Sequence, residues 1–279
     1  MTGGDWMRFA WTLLLAATLA MATLACLAPP AQGAELDCMI EPYRVVNVSA
    51  PVDGLLERVV VERGDLVKSG QLLASLESSV QQAMLSIAKA RAELETPIES
   101  SKVRLDYAIR KVASNEKLLE EHGISEREVD DTRAQRDLGV IALVEARDNK
   151  RLAELDLKRA EAELEVRSIR SPINGVVMER LLSPMEQTKQ TPIVKLAQLD
   201  PLRVEVFVPI SLLGKISVGM SADVLPEAPV GGTHSARVTV VDRVVDAASG
   251  TFGVRLELPN SSNRLPAGLK CRVRFPSPR

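Results

Sequence analysis

A short β motif occurs twice in this sequence, once on each side of a long helical segment. The copies are SAPVDGLL at residues 49–56 and RSPINGVV at residues 170–177. In each copy, proline is followed two residues later by Asp or Asn, then by glycine and two apolar residues. Short β-branched runs punctuated by Gly and Asp indicate strands and turns. The repeat therefore predicts one β domain built from two halves, with the helical segment inserted between them.

The residues around each copy have the composition of short strands. Residues 45–77 and 169–200 contain Val- and Leu-rich runs interrupted by turn residues. We assign the split domain to residues 38–77 plus 169–200. Structural turns are predicted at four glycines, namely Gly54, Gly64, Gly70 and Gly175. The second copy has Met185 and Thr191 where the first has Gly64 and Gly70, so the two halves differ most at these turns.

The inserted segment, residues 78–168, has the 3.5-residue hydrophobic repeat of a coiled coil. The predicted seam of its first half consists of Val80, Met84, Ile87, Arg91, Leu94, Ile98, Ser101, Leu105, Ala108, Val112, Asn115 and Leu119. The predicted seam of its second half consists of Leu143, Ala146, Lys150, Ala153, Leu157, Ala160 and Leu164. Pro97 predicts a kink or a local break in the first helix. Two helices of about forty residues, each about 60 Å long and joined by a tight turn, form an antiparallel hairpin.

The predicted turn of the hairpin lies at residues 120–126. Gly123 is predicted to cap the end of the first helix. Ser125 and Glu128 have the spacing of a capping box that begins the second helix. The two helices are thus expected to be separated by only a few residues.

After the split domain, residues 201–275 have an all-β pattern. Five or six predicted strands are separated by turn signals about every ten to fifteen residues, as in a small barrel or sandwich. The predicted fold class is a multidomain α+β protein. It combines a split β-sandwich, a long antiparallel coiled-coil hairpin inserted into that sandwich, and a small β-barrel.

The N-terminus has the pattern of an export signal. Arg8 precedes an apolar run of twenty residues, and prolines and small residues follow it. We predict a cleaved signal peptide at residues 1–34. The run is also long enough to be an uncleaved membrane anchor, and acylation of Cys26 is a third alternative. Each alternative places the rest of the chain outside the cytoplasm.

Export changes what the cysteines imply. Beyond the signal region the chain has two cysteines, Cys38 and Cys271. In an oxidising compartment, two thiols near opposite ends of the chain are disulfide candidates. We predict a bond that joins the entering strand to one of the last strands. Two buried, unpaired cysteines remain the alternative, because geometry can prevent the bond.

The composition argues against several classes of function. The 35 basic and 37 acidic residues nearly balance, whereas nucleic-acid binding requires a basic patch. The two histidines, His122 and His234, are far apart in the sequence, so a zinc site or a histidine-based catalytic pair is not expected. No glycine-rich phosphate loop is found. We predict no catalytic residues, no metal site and no nucleic-acid partner.

The order of these motifs resembles the membrane fusion protein family, which comprises the periplasmic adaptors of tripartite efflux pumps and haemolysin-type secretion systems. The resemblance covers residues 38–275. It rests on the hairpin and on VSAPVDGLLERVVVERGDLVKSGQLLASLES, IRSPINGVV, GTFGVRLELPN and RLPAGLKCRVRF. It implies a lipoyl-like fold for the split domain. Residues 74–80 lack the modified-lysine turn of a true lipoyl or biotinyl carrier, so no cofactor is expected.

The resemblance also implies partners and a location. The expected partners are an inner-membrane transporter, of the resistance-nodulation-division type, and an outer-membrane channel. The family further implies a homo-oligomer, a hexamer, in the periplasm at the inner membrane. An adaptor for an ABC-type export or secretion system is the alternative. A periplasmic binding protein, or a structural coiled coil without a transporter, is a further alternative.

In the family, the hairpin tip carries Arg, Leu and Ser at fixed spacing for docking to the channel. Ser125 fits the serine and Leu118 fits the leucine. Ser114 stands at the position of the arginine, and Arg110 lies one turn earlier as a candidate substitute. The resemblance therefore implies docking by Leu118 and Ser125, with Arg110 as a third candidate. The alternative is that Leu118 packs in the seam and Ser125 only caps a helix.

Overall fold

The computed structural model describes residues 35–189 and 191–276. The predicted export signal at residues 1–34, including Cys26, lies outside the described residues. The strands of the described part are β1 Glu35–Ser49, β2 Gly54–Val59, β3 Leu66–Val67, β4 Leu72–Leu76, β5 Ser168–Arg170, β6 Gly175–Arg180, β7 Gln187–Thr188, β8 Pro192–Pro209, β9 Ser221–Pro226, β10 His234–Asp246, β11 Thr251–Leu258 and β12 Leu269–Arg274. The α-helices are α1 Ser79–Ala92, α2 Thr96–Glu120 and α3 Glu126–Glu165.

The chain divides into two compact units. The first, which we call the hairpin unit, consists of residues 46–196 and contains both β motifs and the three helices. The second, which we call the barrel unit, consists of residues 35–45 and 197–276 of the described chain. The boundaries fall inside β1 and β8, so both of these long strands contribute residues to both units.

Strand pairing in the hairpin unit follows the 121-residue repeat. β2 pairs with β7, with Gly54 opposite Thr188. β3 pairs with β6, with Gly175 opposite Val67. Gly175 corresponds to Gly54, and Thr188 corresponds to Val67, when 121 is added to the residue numbers. The β3–β6 pair is therefore the β2–β7 pair with the roles of the two halves exchanged. The structure thus confirms that the two motifs form one domain.

The turns obey the same repeat. The Gly64 amide donates to the Val177 carbonyl over 2.9 Å, and the Met185 amide donates to the Leu56 carbonyl over 2.7 Å. Gly64 has a φ of +96° and Met185 has a φ of +71°. The backbone geometry has therefore been kept in the second half, although glycine, which alone adopts positive φ without steric cost, has been lost.

The predicted glycine turns are of two kinds. Gly64 and Gly70 lie in turns and have positive φ values of +96° and +82°. Gly54 and Gly175 instead are the first residues of β2 and β6, and neither has a positive φ. The prediction of turn positions for these two was wrong, because the bend precedes them. At Gly54 the requirement is space, since a Cβ atom would lie 3.3 Å from Leu76 Cδ1.

The core of the split domain is formed by apolar residues from both halves. Leu56, Leu73 and Leu76 come from the first half, and Val177 and Ile193 from the second, and all five are buried. Burial of one such side chain contributes about 1.5–3 kcal/mol. Each half alone would leave its apolar face in water, so the two copies stabilise each other.

The seam of the first helix, α1, differs from the predicted one. In α1, the partly or fully buried positions are Gln81, Leu85, Ala88 and Ala92. The predicted residues Val80, Met84 and Ile87 are 52–55% exposed. The helix is interrupted at residues 93–95, and Pro97 lies in the first turn of α2, where its missing amide costs nothing. The buried face of α1 is therefore displaced by one residue from the predicted seam. The prediction had assumed one continuous heptad repeat across residues 93–95.

Beyond the break, the predicted seam is correct. In α2, the positions from Ile98 to Leu119 that were assigned to the seam are buried or half-buried. In α3, all of the positions from Leu143 to Leu164 that were assigned to the seam are likewise buried or half-buried. Gly139 continues the α3 seam toward the turn, and a Cβ atom there would lie 3.3 Å from Leu105 Cδ1. α3 alone has 40 residues, a length of about 60 Å.

The barrel unit is a closed series of strands in the order β1, β12, β9, β10, β11 and β8, with β1 also paired to β8. Inward and outward side chains alternate along β8. Leu202, Val204, Val206 and Val208 are buried in the core of this unit. The alternation is the period-2 pattern of a strand that has one face in a core.

The first strand was assigned to the wrong unit in part. Residues 38–45 and 197–200 were predicted to belong to the split domain, but β1 pairs with β12 from Glu35 to Ile40. Residues 35–45 and the described residues from 197 onward are in the barrel unit. The error has a simple cause: pairing between the two ends of the chain leaves no local mark in the sequence.

Candidate functional site at the hairpin tip

The end of α2 is a Schellman motif. The Gly123 amide donates to the Leu118 carbonyl over 2.7 Å, and the His122 amide donates to the Leu119 carbonyl over 2.9 Å. These two bonds satisfy carbonyl groups that the end of a helix leaves free. The left-handed residue is His122, with a φ of +59°. Gly123, the glycine predicted to cap this helix, supplies one of the two capping hydrogen bonds and lies one residue after the left-handed position.

Gly123 has a second role in the same turn. A Cβ atom at Gly123 would lie 3.3 Å from the Leu118 carbonyl oxygen and 3.8 Å from Leu118 Cδ2. The glycine thus allows the chain to pass close to Leu118. Sequence reasoning missed His122, although histidine is one of the residues enriched at positive φ.

The start of α3 is capped by Ser125. Its Oγ accepts a hydrogen bond from the Glu128 amide over 3.4 Å. This is the predicted N-cap contact, and such caps stabilise a helix by about 1 kcal/mol. Glu126 and Glu128 in the first turn interact favourably with the helix dipole. Ser125 itself is exposed.

Leu118 and Ser125 lie at the same end of the hairpin, and both face solvent. Leu118 is 40% exposed, whereas Val129 on α3 is fully buried. The seam passes through Leu119, which is half-buried, and not through Leu118. The packing alternative for Leu118 therefore does not describe this structure.

Arg110 is not part of the tip. It is exposed on α2, eight residues before Leu118, which corresponds to about 12 Å along the helix axis. The position that the family motif gives to arginine is occupied by Ser114. The structure thus brings together two of the three predicted docking residues.

An ion pair joins the two helices close to the tip. Arg133 on α3 contacts Glu116 on α2 over 2.9 Å and Asp130 over 3.3 Å. The hydrogen bond from Arg133 to Glu116 holds the pKa of the guanidinium above its ordinary value. All three side chains are well exposed, so this contact contributes to alignment of the helices more than to stability.

The two cysteines lie in the barrel unit. Cys38 on β1 is directly opposite Cys271 on β12, and their Cα atoms are 4.8 Å apart. That separation lies within the range of disulfides, and the structure joins the two sulfur atoms. Both residues are buried.

Comparisons with known proteins place the chain in a family. Residues 44–197 match the family model described as "CzcB-like, barrel-sandwich hybrid domain". Residues 202–279 match the model described as "CusB-like, beta-barrel domain". The first match covers more than half of the chain, which therefore belongs to this family of membrane fusion proteins, the periplasmic adaptors.

Similar proteins agree with this assignment. The chain is 26% identical over 264 residues to the "Antibiotic efflux pump periplasmic linker protein ArpA" of Pseudomonas putida, which covers 86% of this chain and 62% of that protein. It is also 26% identical over 264 residues to the "Toluene efflux pump periplasmic linker protein TtgA" of Pseudomonas putida, covering 86% of this chain and 60% of that protein. The chain thus spans about 60% of the length of these relatives.

The fold is shared with solved structures. The crystal structure of MacA from Actinobacillus actinomycetemcomitans superimposes with a TM-score of 0.72 at 21% identity, covering 88% of this chain and 79% of that chain. The membrane fusion protein Spr0693 from Streptococcus pneumoniae gives a TM-score of 0.58 at 18% identity, covering 88% of this chain and all of the other. Among residues 35–189 and 191–276, none of the helices combines the length and apolar character needed to cross a bilayer.

Proposed function

We propose that this chain is a periplasmic adaptor that connects an inner-membrane transporter of the resistance-nodulation-division type to an outer-membrane channel for efflux. The observation that carries the proposal is the hairpin, whose turn between α2 and α3 presents the exposed residues Leu118 and Ser125. Relatives that are named as linkers of efflux pumps support the same role. The adaptor acts by mechanical coupling and catalyses no reaction.

The tip provides the contact with the channel in this proposal. An exposed leucine beside a tight turn offers an apolar group that water solvates poorly, and its burial in a partner is favourable. The Ser125 hydroxyl accepts one hydrogen bond from the Glu128 amide, and a hydroxyl can both donate and accept further bonds. Leu118 would supply the apolar contact and Ser125 the directional one.

Self-association is the second part of the proposal. Four exposed apolar residues of α3, which we call the α3 stripe, are Leu138, Ile141, Leu152 and Leu155. Their spacings of three, eleven and three residues place them on one face of the helix, away from the seam. Apolar stripes of this kind mark interaction surfaces. Lateral packing of hairpins through the α3 stripe would build the homo-oligomer, a hexamer as the family implies.

Co-purification after cross-linking in the native membrane tests the partners. We expect the tagged protein to recover both a multi-span inner-membrane transporter and an outer-membrane channel. Recovery of an ABC-type transporter instead would replace the transporter assignment. Failure to recover any inner-membrane transporter after cross-linking would overturn the adaptor role and favour a structural coiled coil.

Tip variants test the docking residues in the same experiment. Leu118→Asp should abolish recovery of the channel and leave recovery of the transporter unchanged. Val103→Asp is the matched control, because Val103 is also an exposed apolar residue of α2 but lies about 22 Å from Leu118 along the helix. Equal recovery of the channel by both variants would remove Leu118 from the docking site.

Ser125 requires variants that separate docking from capping. Ser125→Asp preserves an N-cap oxygen, whereas Ser125→Ala removes it. If Ser125 contacts the channel, Ser125→Asp impairs recovery of the channel although helix stability is retained. If only Ser125→Ala impairs recovery, Ser125 is a cap and nothing more.

A further inference from the structure

A hollow of about 480 Å³ lies on the surface of the barrel unit, next to the Cys38–Cys271 pair. Its principal lining residues are Asp37, Met39, Glu41, Glu205, Phe207 and Glu227. This volume is in the range of small-molecule sites, which combine apolar walls with a few polar groups. The hollow is therefore large enough for an organic molecule, and neither the hairpin tip nor the α3 stripe involves it.

Phe207 forms the apolar wall, and the strand register explains why it is uncovered. On β8 it alternates with the buried Val206 and Val208 and so points away from the core. Its partner across the strand pair is Gly253 on β11, which has no side chain to lie against the ring. Phe207 is 72% exposed. The ring thus projects from β8 with most of its surface open to a ligand.

A second hollow borders the same ring. Its lining includes Phe207, Asp242, Val244 and Asp246. A Cβ atom at Gly253 would overlap Asp242 Oδ2, so the glycine also makes room for this carboxylate. The aromatic ring therefore lies between two hollows that both contain acidic side chains.

The charges of the first hollow are only partly neutralised. Glu41 contacts Arg203 over 2.6 Å, and Glu205 contacts Arg255 over 2.8 Å. Asp37 and Glu227 are exposed and stand outside these pairs. Lys270 is the one basic residue among those that line this hollow. The hollow therefore has an excess of negative charge beside an exposed aromatic ring.

We propose that this hollow binds organic cations that carry their charge on an aromatic or aliphatic body. The carboxylates of Asp37 and Glu227 attract the charge, and the face of Phe207 interacts with a cation through its quadrupole. Met39, which is 46% exposed, adds apolar contact. Carboxylates beside an aromatic face form an arrangement that suits a large, weakly hydrated cation.

Binding of tetraphenylphosphonium to the purified protein, measured by isothermal titration calorimetry, tests the proposal. We expect saturable binding with a dissociation constant below about 1 mM, weakened by added salt because the attraction is electrostatic. Triphenylphosphine oxide, which has a similar aromatic body without the charge, is the control probe and should bind at least about tenfold more weakly.

Two variants locate the site. Phe207→Ala should weaken tetraphenylphosphonium binding by about fivefold to tenfold. The double variant Asp37→Asn with Glu227→Gln preserves shape and should weaken binding about fivefold and reduce its salt dependence. Val218→Ala is the matched control, since Val218 is an exposed apolar residue of the same unit outside this hollow, and it should bind as the unchanged protein does.

Three results would overturn the proposal. These are absence of saturable binding, equal binding of the charged and neutral probes, and affinity that neither variant changes although circular dichroism shows them folded. None of these results bears on the adaptor role, which the recovery of membrane partners tests separately.

Discussion

Met185 shows at the level of one residue how the second half of the split domain has diverged. It occupies the position that corresponds to Gly64, keeps a φ of +71° and donates the equivalent hydrogen bond to Leu56. A side chain in this conformation costs about 1–2 kcal/mol because Cβ approaches the backbone. Hydrogen bonds hold this conformation, because the Met185 amide donates to the Leu56 carbonyl and the Leu56 amide donates to the Glu186 carbonyl.

Substitutions at both turn positions test whether Met185 is strained. Met185→Gly should raise the free energy of unfolding by about 0.5–1 kcal/mol, since relief of strain exceeds the added entropy of the unfolded chain. Gly64→Ala should lower it by about 1 kcal/mol. Urea unfolding followed by circular dichroism measures both. If Met185→Gly destabilises the protein, the left-handed conformation at this turn carries no strain.

The helices of the hairpin show how a break alters a heptad pattern at the level of an element. A single seam was predicted from Val80 to Leu119, and it holds only from Ile98 onward. Residues 93–95 interrupt the helix, so the face of α1 that packs on α3 is displaced by one residue. The apolar residues Met84 and Ile87 are left in solvent.

Neighbouring residues of α1 should therefore respond differently to truncation. Leu85→Ala should lower the free energy of unfolding by about 1–2 kcal/mol, because Leu85 is half-buried in the seam. Met84→Ala should change it by less than about 0.5 kcal/mol. Both are measured by urea unfolding at low protein concentration. A larger effect of Met84→Ala than of Leu85→Ala would support the predicted uninterrupted seam instead.

β1 and β12 are the elements that join the two ends of the barrel unit. Cys38 and Cys271 are opposite each other in this pair and are separated by 233 residues in the chain. A bond that closes so long a loop restricts the unfolded state, and native disulfides typically contribute about 2–4 kcal/mol. The pairing and the disulfide thus fix the N-terminal strand β1 to the last strand β12.

We predict that protein purified from the periplasm contains this bond. Mass spectrometry of a non-reduced digest should identify the Cys38–Cys271 peptide pair. Replacing both cysteines with alanine should lower the free energy of unfolding of the barrel unit by about 2–4 kcal/mol. Free thiols at both positions in the folded protein would contradict the prediction.

At the level of the whole molecule, the proposed oligomer follows from what the hairpin leaves exposed. Ile141→Asp places a charge in the α3 stripe and should shift the protein toward smaller species in analytical ultracentrifugation. Val140→Asp is the matched control, since Val140 is also exposed but lies about 100° away around the helix. Equal oligomer size for both variants would exclude the α3 stripe from the interface.

The candidate site could be predicted only in part. The spacing of Leu118 and Ser125 was sufficient to place both residues at the tip, because a helix and its cap follow from local sequence. Arg110 was a weaker candidate in the sequence, because it lies eight residues before Leu118, about 12 Å along the helix axis. The hollow beside Phe207 was missed, because it depends on the register that sets Phe207 opposite Gly253.

The sequence by itself determined the split domain, the hairpin, the α3 seam and the Ser125 cap. Each of these rests on local periodicity, on turn chemistry or on an internal repeat, all of which are legible in a linear chain. Only the tertiary structure decided the unit to which β1 belongs, the α1 seam, the left-handed conformation at His122 and Met185, and the hollow at Phe207. These features depend on strand pairing and packing between residues far apart in the chain. The stabilisation from such tertiary contacts outweighs the local secondary-structure preference of each residue.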